Sequence, residues 1–192
     1  MTRNYLPGTA IEVIRERERG RFKHVLFDFD GTISLLREGW QQVMAPVMIE
    51  AITGGGPPTA QIEQAVWDYI EESTGVNTIL QMERLVEMVR QWGRVPKQKI
   101  LDAYGYKAIY NDRLMRVVNE RIAKLEAGKL PLQQVTVRGA VQFVQRLHNK
   151  GLHMYVFSGT DQPDVQREAR LVGVATYFEE ILGALRTYEE SN

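Results

Sequence analysis

The 192-residue chain contains no cysteine, which excludes disulfides and thiolate metal sites. It has no surplus of either charge: 24 Lys and Arg stand against 24 Asp and Glu. Nucleic-acid and anionic-membrane surfaces both need a basic excess, so neither partner is expected. No apolar run approaches the length of a membrane-spanning helix. The stretch Met1 to Gly20 is charged and lacks the apolar segment of a secretory signal. Histidine is scarce, and no two of His24, His148 and His153 have metal-ligand spacing. A soluble cytoplasmic protein is the expectation. What remains is ordinary: 44% hydrophobic and 25% charged residues, enough for a packed core of one domain, with or without an inserted module.

Two short apolar runs carry most of the information. His24-Val25-Leu26-Phe27-Asp28-Phe29 ends in the polar turn Asp30-Gly31-Thr32, and Leu152 to Phe157 ends in Ser158-Gly159-Thr160. The first has the pattern of a buried central strand covered on both faces. Helical spacing precedes the second run (Val137, Val141, Val144, Leu147, with Gly151 as a stop), and Gln162 to Leu171 follows as another helix begun by Asp161 and Pro163. Glu180 to Gly183 starts a third strand. Strands alternating with helices predict parallel βαβ units and a doubly wound sheet.

Between the two runs, residues 35–130 show little strand character. Helical patterns fall at Arg37–Ile52, Thr59–Glu72, Thr78–Trp92 and Lys107–Leu125. The stretch is far too long for a crossover loop and reads as an inserted helical module. Gly54-Gly55-Gly56-Pro57-Pro58 lacks the Lys-Ser/Thr ending of a phosphate loop and reads as a linker. Within the module, Trp67, Tyr69, Met82 and Met88 fall at interior positions of their helices.

Asp28 and Asp30 lie two apart at the end of a strand, so both carboxylates project to one side. Open α/β sheets bind ligands at that carboxyl edge. Gly31 permits a tight turn there. Two adjacent carboxylates repel and call for a hard cation such as Mg²⁺. One ionised Asp as nucleophile and one proton-carrying Asp suit attack on phosphorus.

Phe27-Asp28-Phe29-Asp30-Gly31-Thr32 resembles the DxDGT motif that opens phosphohydrolases of the haloacid dehalogenase superfamily, and Ser158-Gly159-Thr160 resembles that family's second motif. The inserted helices are similar to its C1-type cap. The resemblance runs from Phe22 onward. It implies a Rossmann-like doubly wound parallel sheet, incomplete at its C-terminal end, formed by residues 1–34 and 131–192, with a helical cap over residues 35–130. It implies a Mg²⁺-dependent phosphomonoester hydrolase of a small phosphorylated metabolite, such as a sugar phosphate. Asp28 would be the nucleophile that becomes an aspartyl-phosphate, and Asp30 the acid and base. Mg²⁺ would sit on the Asp28 carboxylate and the Asp30 main-chain carbonyl. Thr32, Ser158 and Gly159 would bind the phosphoryl group. The cap would turn Arg37, Trp40 and the loop Ser73 to Asn77 towards the substrate, Arg37 as a partner for phosphate, although an exposed helix arginine and a core or hinge tryptophan are the commoner meanings of those two residues. A phosphomutase, or a non-catalytic fragment that binds phosphate, are the alternatives.

The family's third and fourth motifs, a Lys and an acidic pair, have no counterpart after Ser158. The last lysine is Lys150, and Glu189 and Glu190 have no apolar strand before them. Arg170 and Arg186 are poor geometric substitutes for the Lys. The expectation is a truncated chain in which Asp28 lacks a cationic partner and turnover is weak.

Overall fold

The computed structural model describes residues 4–16 and 20–185. Its sheet has three parallel strands, β1 (His24–Phe27), β2 (His153–Asp161) and β3 (Glu180–Ala184), in the order β1-β2-β3. Six α-helices complete it: α1 (Trp40–Thr53), α2 (Ala60–Glu72), α3 (Thr78–Trp92), α4 (Ala103–Glu126), α5 (Ala140–Asn149) and α6 (Gln162–Leu171). This is a mixed, Rossmann-like α/β architecture, with α5 and α6 as the crossover helices and α1 to α4 inserted between β1 and α5.

The inserted helices begin and end where local chemistry dictates. Thr59, Asn77 and Asp102 cap α2, α3 and α4 by accepting backbone N–H bonds through their side chains. Gly54 and Gly93 close α1 and α3 at φ 65° and 62°, conformations that favour glycine. Thus the Gly54–Pro58 stretch is the break between α1 and α2. Helix α1 packs on α2, α3 and α4, and α3 on α4. Met44, Met48, Ile62, Met82, Leu85 and Val118 are fully buried among them. Met88 is also buried and Tyr69 partly so, but Trp67 is 42% exposed, against the interior position expected for it. It occupies the solvent side of α2, whose buried stripe is Ile62, Val66 and Ile70.

The sheet is two-faced. Phe27, Met154 and Val156 are buried, and Phe27 meets Phe143 of α5 and Phe178 edge-on. The opposite face carries His24, Leu26, His153 and Phe157, all exposed, with Leu26 at 67%. The expectation that the first run is a central strand covered on both sides is therefore corrected. Among the described residues β1 lies at the sheet edge, and nothing packs over its Leu26 side chain.

Two connections link the inserted helices to the sheet, and they run side by side. Leu35 N–H donates to the Val135 carbonyl (2.8 Å), Val137 N–H donates to Ile33 (2.9 Å), and Ser34 pairs antiparallel with Thr136. Arg121 of α4 braces the outgoing connection by donating to the carbonyls of Leu36 and Glu38 at 2.8 and 2.6 Å.

Candidate functional site

The turn after β1 is built on one carbonyl. Thr32, Ile33 and Ser34 all donate their N–H groups to Phe29 O, and Gly31 takes φ 76° to let the chain reverse. Phe29 and Ile33 are fully buried and anchor the turn. Asp28 is left exposed on the sheet's carboxyl edge, and Thr32 donates its hydroxyl to Asp28 Oδ2 at 2.9 Å. The Thr32 side chain therefore holds a carboxylate, and it does not line the cavity described below.

The end of β2 supplies the opposing wall. After Phe157, which pairs with Leu182, β2 bulges before Asp161 regains register with Ala184. A bulge re-aims side chains. Here both Ser158 and Thr160 turn to Asp30, donating hydroxyls to its Oδ2 at 3.3 and 2.7 Å. Thr160 N–H donates in turn to Ser158 Oγ at 3.0 Å. The bulge depends on a close approach by Gly183. A Cβ there would lie 2.5 Å from the Thr160 carbonyl oxygen and 2.7 Å from Gln162 Cα.

Asp30 is an enclosed carboxyl. Its Oδ1 is buried without a hydrogen-bond partner among the described residues. Burial raises its pKa above the ordinary carboxylate value, against the lowering effect of Arg37 and the Thr160 and Ser158 hydroxyls. Behind it lies an ion-pair cluster. The Arg37 guanidinium donates to both oxygens of Glu168 (2.7 to 3.3 Å) and to Asp164 at 3.3 Å. Glu168 is 1% exposed, and burial raises its pKa against the lowering effect of Arg37. Arg37 itself precedes α1, because Gly39 at φ 83° sets the helix start later than the sequence pattern indicates. Its Nε and Nη2 bond the α6 carboxylates, and it also lines the cavity.

These groups converge on a cavity of about 240 Å³ at the carboxyl ends of β1 and β2. Asp28, Asp30, Ser158, Gly159, Thr160 and Asp161 form its floor, and Thr74, Gly75, Val76 and Trp40 come from the inserted helices and their loops. The Ser73–Asn77 loop approaches Gly159 closely, since a Cβ on Gly159 would lie 3.8 Å from Asn77 Cα. The phenol of Tyr110 is buried beside Arg37 and Asp30, and burial pushes its pKa up. Lys107 of α4 also lines the cavity, and its Nζ donates to Asp161 Oδ1 at 2.6 Å. Asn111, one turn along α4, donates to Asp161 Oδ2 at 3.2 Å.

Two cations, Arg37 and Lys107, thus stand on the cavity wall. Both bond other carboxylates: Arg37 pairs with Glu168 and Asp164 and acts on Asp30 through its charge, and Lys107 pairs with Asp161. The charges come from residues before Ser158 in sequence, at separations of 131 residues for Arg37–Glu168 and 54 for Lys107–Asp161. Arg170 is exposed and does not line the cavity, while Arg186, Glu189 and Glu190 lie outside the described residues.

A family model for haloacid dehalogenase-like hydrolases matches residues 22–189. The chain belongs to this family. No curated protein matches the sequence. Among solved structures, a haloacid dehalogenase-like family hydrolase from Streptococcus pneumoniae is similar at TM-score 0.51 and 14% identity, covering 85% of this chain and 61% of its own. A predicted phosphatase from Clostridium acetobutylicum is similar at TM-score 0.50 and 13% identity, covering 85% of this chain and 62% of its own. At these identities the likeness concerns the fold. The chain spans somewhat over three fifths of the length of either protein.

The donor chemistry bears on the magnesium ion the family implies. Among the described residues no three His, Cys, Asp or Glu side chains are grouped to hold a metal. Asp28 is exposed and offers hard carboxylate oxygen, with the main chain of Asp30 two residues on. Mg²⁺ commonly uses one or two carboxylates and fills its remaining positions with water and substrate phosphate. The residues present fit such a sparsely held ion and would not fit a cage of protein ligands.

Proposed function

We propose that this chain hydrolyses phosphomonoesters of small phosphorylated metabolites through Asp28. The observation that carries the reading is the convergence of Asp28, Asp30, Ser158 and Gly159 on one cavity at the carboxyl edge of the sheet. Thr32 occupies Oδ2 of Asp28, which leaves Oδ1 to attack phosphorus. A bond forms between that oxygen and phosphorus, and the bond from phosphorus to the leaving-group oxygen breaks. Asp30, whose pKa is raised by burial, holds the proton that this oxygen takes. In the second half, water attacks phosphorus, Asp30 accepts its proton, and the aspartyl-phosphate bond breaks to free inorganic phosphate and restore Asp28. The Ser158 hydroxyl and the Gly159 N–H would receive phosphoryl oxygens, the hydroxyl leaving its long 3.3 Å bond to Asp30.

Asp28 and the Asp30 main-chain carbonyl would hold a magnesium ion, which supplies neutralising charge to the phosphoryl group when bound. The helical segment 35–130 acts in this reading as a lid whose paired connections form the hinge, with Trp40, Thr74, Gly75 and Val76 excluding water above the reacting atoms. Arg37 braces α6 through Nε and Nη2, which pair with Glu168 and Asp164, and its charge acts on Asp30.

The test is release of p-nitrophenolate from p-nitrophenyl phosphate with and without Mg²⁺, for the chain and for Asp28→Asn. We expect Mg²⁺-dependent turnover that falls at least roughly 10³-fold in the variant, the scale seen when a nucleophile is removed. Equal traces of product from both proteins would sink the hydrolase reading and put the phosphate-binding, non-catalytic one in its place.

A further inference from the structure

We propose that Lys107, on the inserted helix α4, is the cation that receives the substrate's phosphoryl group, and that Asp161 holds its ammonium until the phosphate arrives. This rests on the hydrolase reading of the cavity and names a residue that the family's motifs do not supply here. Phosphoryl transfer is catalysed mainly by positioning and by neutralising negative charge, and an attacking carboxylate sharpens that need. Of the two cations lining the cavity among the described residues, Arg37 already faces two carboxylates. Its Nε and Nη2 bond Glu168, Nη2 also reaches Asp164 and the Met115 sulfur, and its side chain is only 10% exposed.

Lys107 is about as enclosed, its side chain 14% exposed, but it faces a single carboxylate. Among the described residues its Nζ has one partner, Asp161 Oδ1 at 2.6 Å, and an ammonium carries three donors. Its four-carbon stem is flexible, so the ammonium can change partner by rotamer without movement of α4. Asp161 is itself a cavity-lining residue three positions beyond Ser158, on the strand segment that bulges towards Asp30. The ion pair therefore lies beside the proposed phosphoryl site. Asp161 keeps a second donor, Asn111 at 3.2 Å, so its carboxylate is not stranded when Lys107 leaves it. An incoming phosphate dianion is the stronger acceptor and would share or take the ammonium.

The experiment measures binding of inorganic phosphate, by calorimetry, to the full chain and to Ser158→Ala, Lys107→Gln, Asp161→Asn and the Lys107→Gln/Asp161→Asn pair, each checked for an unchanged circular dichroism spectrum. Loss of one charge-assisted bond should weaken binding about ten- to a hundredfold in Lys107→Gln. Asp161→Asn should tighten it several-fold by releasing the ammonium, and the gain should largely vanish in the double variant. That opposition of sign separates the proposal from a structural latch, in which losing either partner would weaken binding alike. Weaker binding in Asp161→Asn, or unchanged binding in Lys107→Gln while Ser158→Ala loses phosphate, overturns the role of Lys107 and leaves the hydrolase reading standing. Absence of phosphate binding by the parent chain, or binding indifferent to Ser158→Ala, overturns both.

Discussion

Asp30 is the residue in which function and stability pull in opposite directions. It accepts two hydroxyl bonds on Oδ2, yet its Oδ1 is buried with no partner among the described residues, and burial outweighs the favourable influence of Arg37. Its pKa is raised in the folded chain, so the folded state holds this proton more tightly than the unfolded state. The stabilising contribution is complete below the ordinary value of 3.8 and is lost as pH rises through the folded value. At pH 8 the ionised carboxylate is a cost to folding. Asp30→Asn keeps the acceptor oxygen for Ser158 and Thr160 but never ionises. Urea unfolding should show the variant more stable than the parent at pH 8, with the difference shrinking towards pH 4, while p-nitrophenyl phosphate turnover is lost. Equal midpoints at both pH values would mean that the carboxyl is better solvated than its surroundings indicate. A stabilising change that removes activity is the signature of a group kept for chemistry.

At the scale of elements, the end of β2 is shaped by a residue on β3. Gly183 lies where any side chain would meet main-chain atoms of Thr160 and Gln162 at 2.5 to 2.8 Å, and backbone cannot rotate out of the way. Gly183→Ala must therefore push β3 from the bulge, and Thr160, which holds Asp30, moves with it. We expect about 1–3 kcal/mol of destabilisation, the usual range for overpacking, with reduced turnover. Gly159→Ala provides the contrast in thermal unfolding, because its Cβ would make an ordinary 3.8 Å contact and should leave the midpoint nearly unchanged. The elements themselves were legible in the sequence for local reasons. Apolar runs ending in Asp30-Gly31 and Ser158-Gly159 mark β1 and β2, and periodic apolar residues with capping Thr59, Asn77 and Asp102 mark the helices. Side chains that depend on remote partners were not legible. Nothing local singles out Thr160, because its Asp30 partner is 130 residues away, and Lys107 marks only the start of a helical pattern, because only the fold brings Asp161 to it. The shift of α1 to begin at Trp40, which leaves Arg37 free to reach Glu168, turns on a single positive-φ glycine.

The whole molecule is asymmetric about its sheet. On one side Met154 and Val156 are fully buried; on the other, Leu26 and Phe157 are 67% and 52% exposed. Strand alternation explains the arrangement: parallel register aligns His24 with His153 and Leu26 with Tyr155, so the outward residues form one face and the inward residues another. The apolar character of both faces is why the sequence reads as a strand covered on two sides, a pattern that reports composition and not the presence of a covering layer. The two faces should respond differently to substitution. Met154→Ala removes a side chain packed on all sides and should cost about 2–5 kcal/mol. Phe157→Ser, one turn of the pleat from the same core but facing outward, should change unfolding free energy by no more than about 0.5 kcal/mol, as expected for a surface position. Phe157 also borders Ser158, so phosphate binding is the control that its backbone has not moved. Urea denaturation of the two variants beside the parent decides the matter. If Phe157→Ser is as destabilising as Met154→Ala, the outer face is packed in solution and the one-sided sheet is wrong. If only Met154→Ala is costly, the stability of this chain rests on the inner face, and the outer face is apolar surface that folding of the described residues leaves in water.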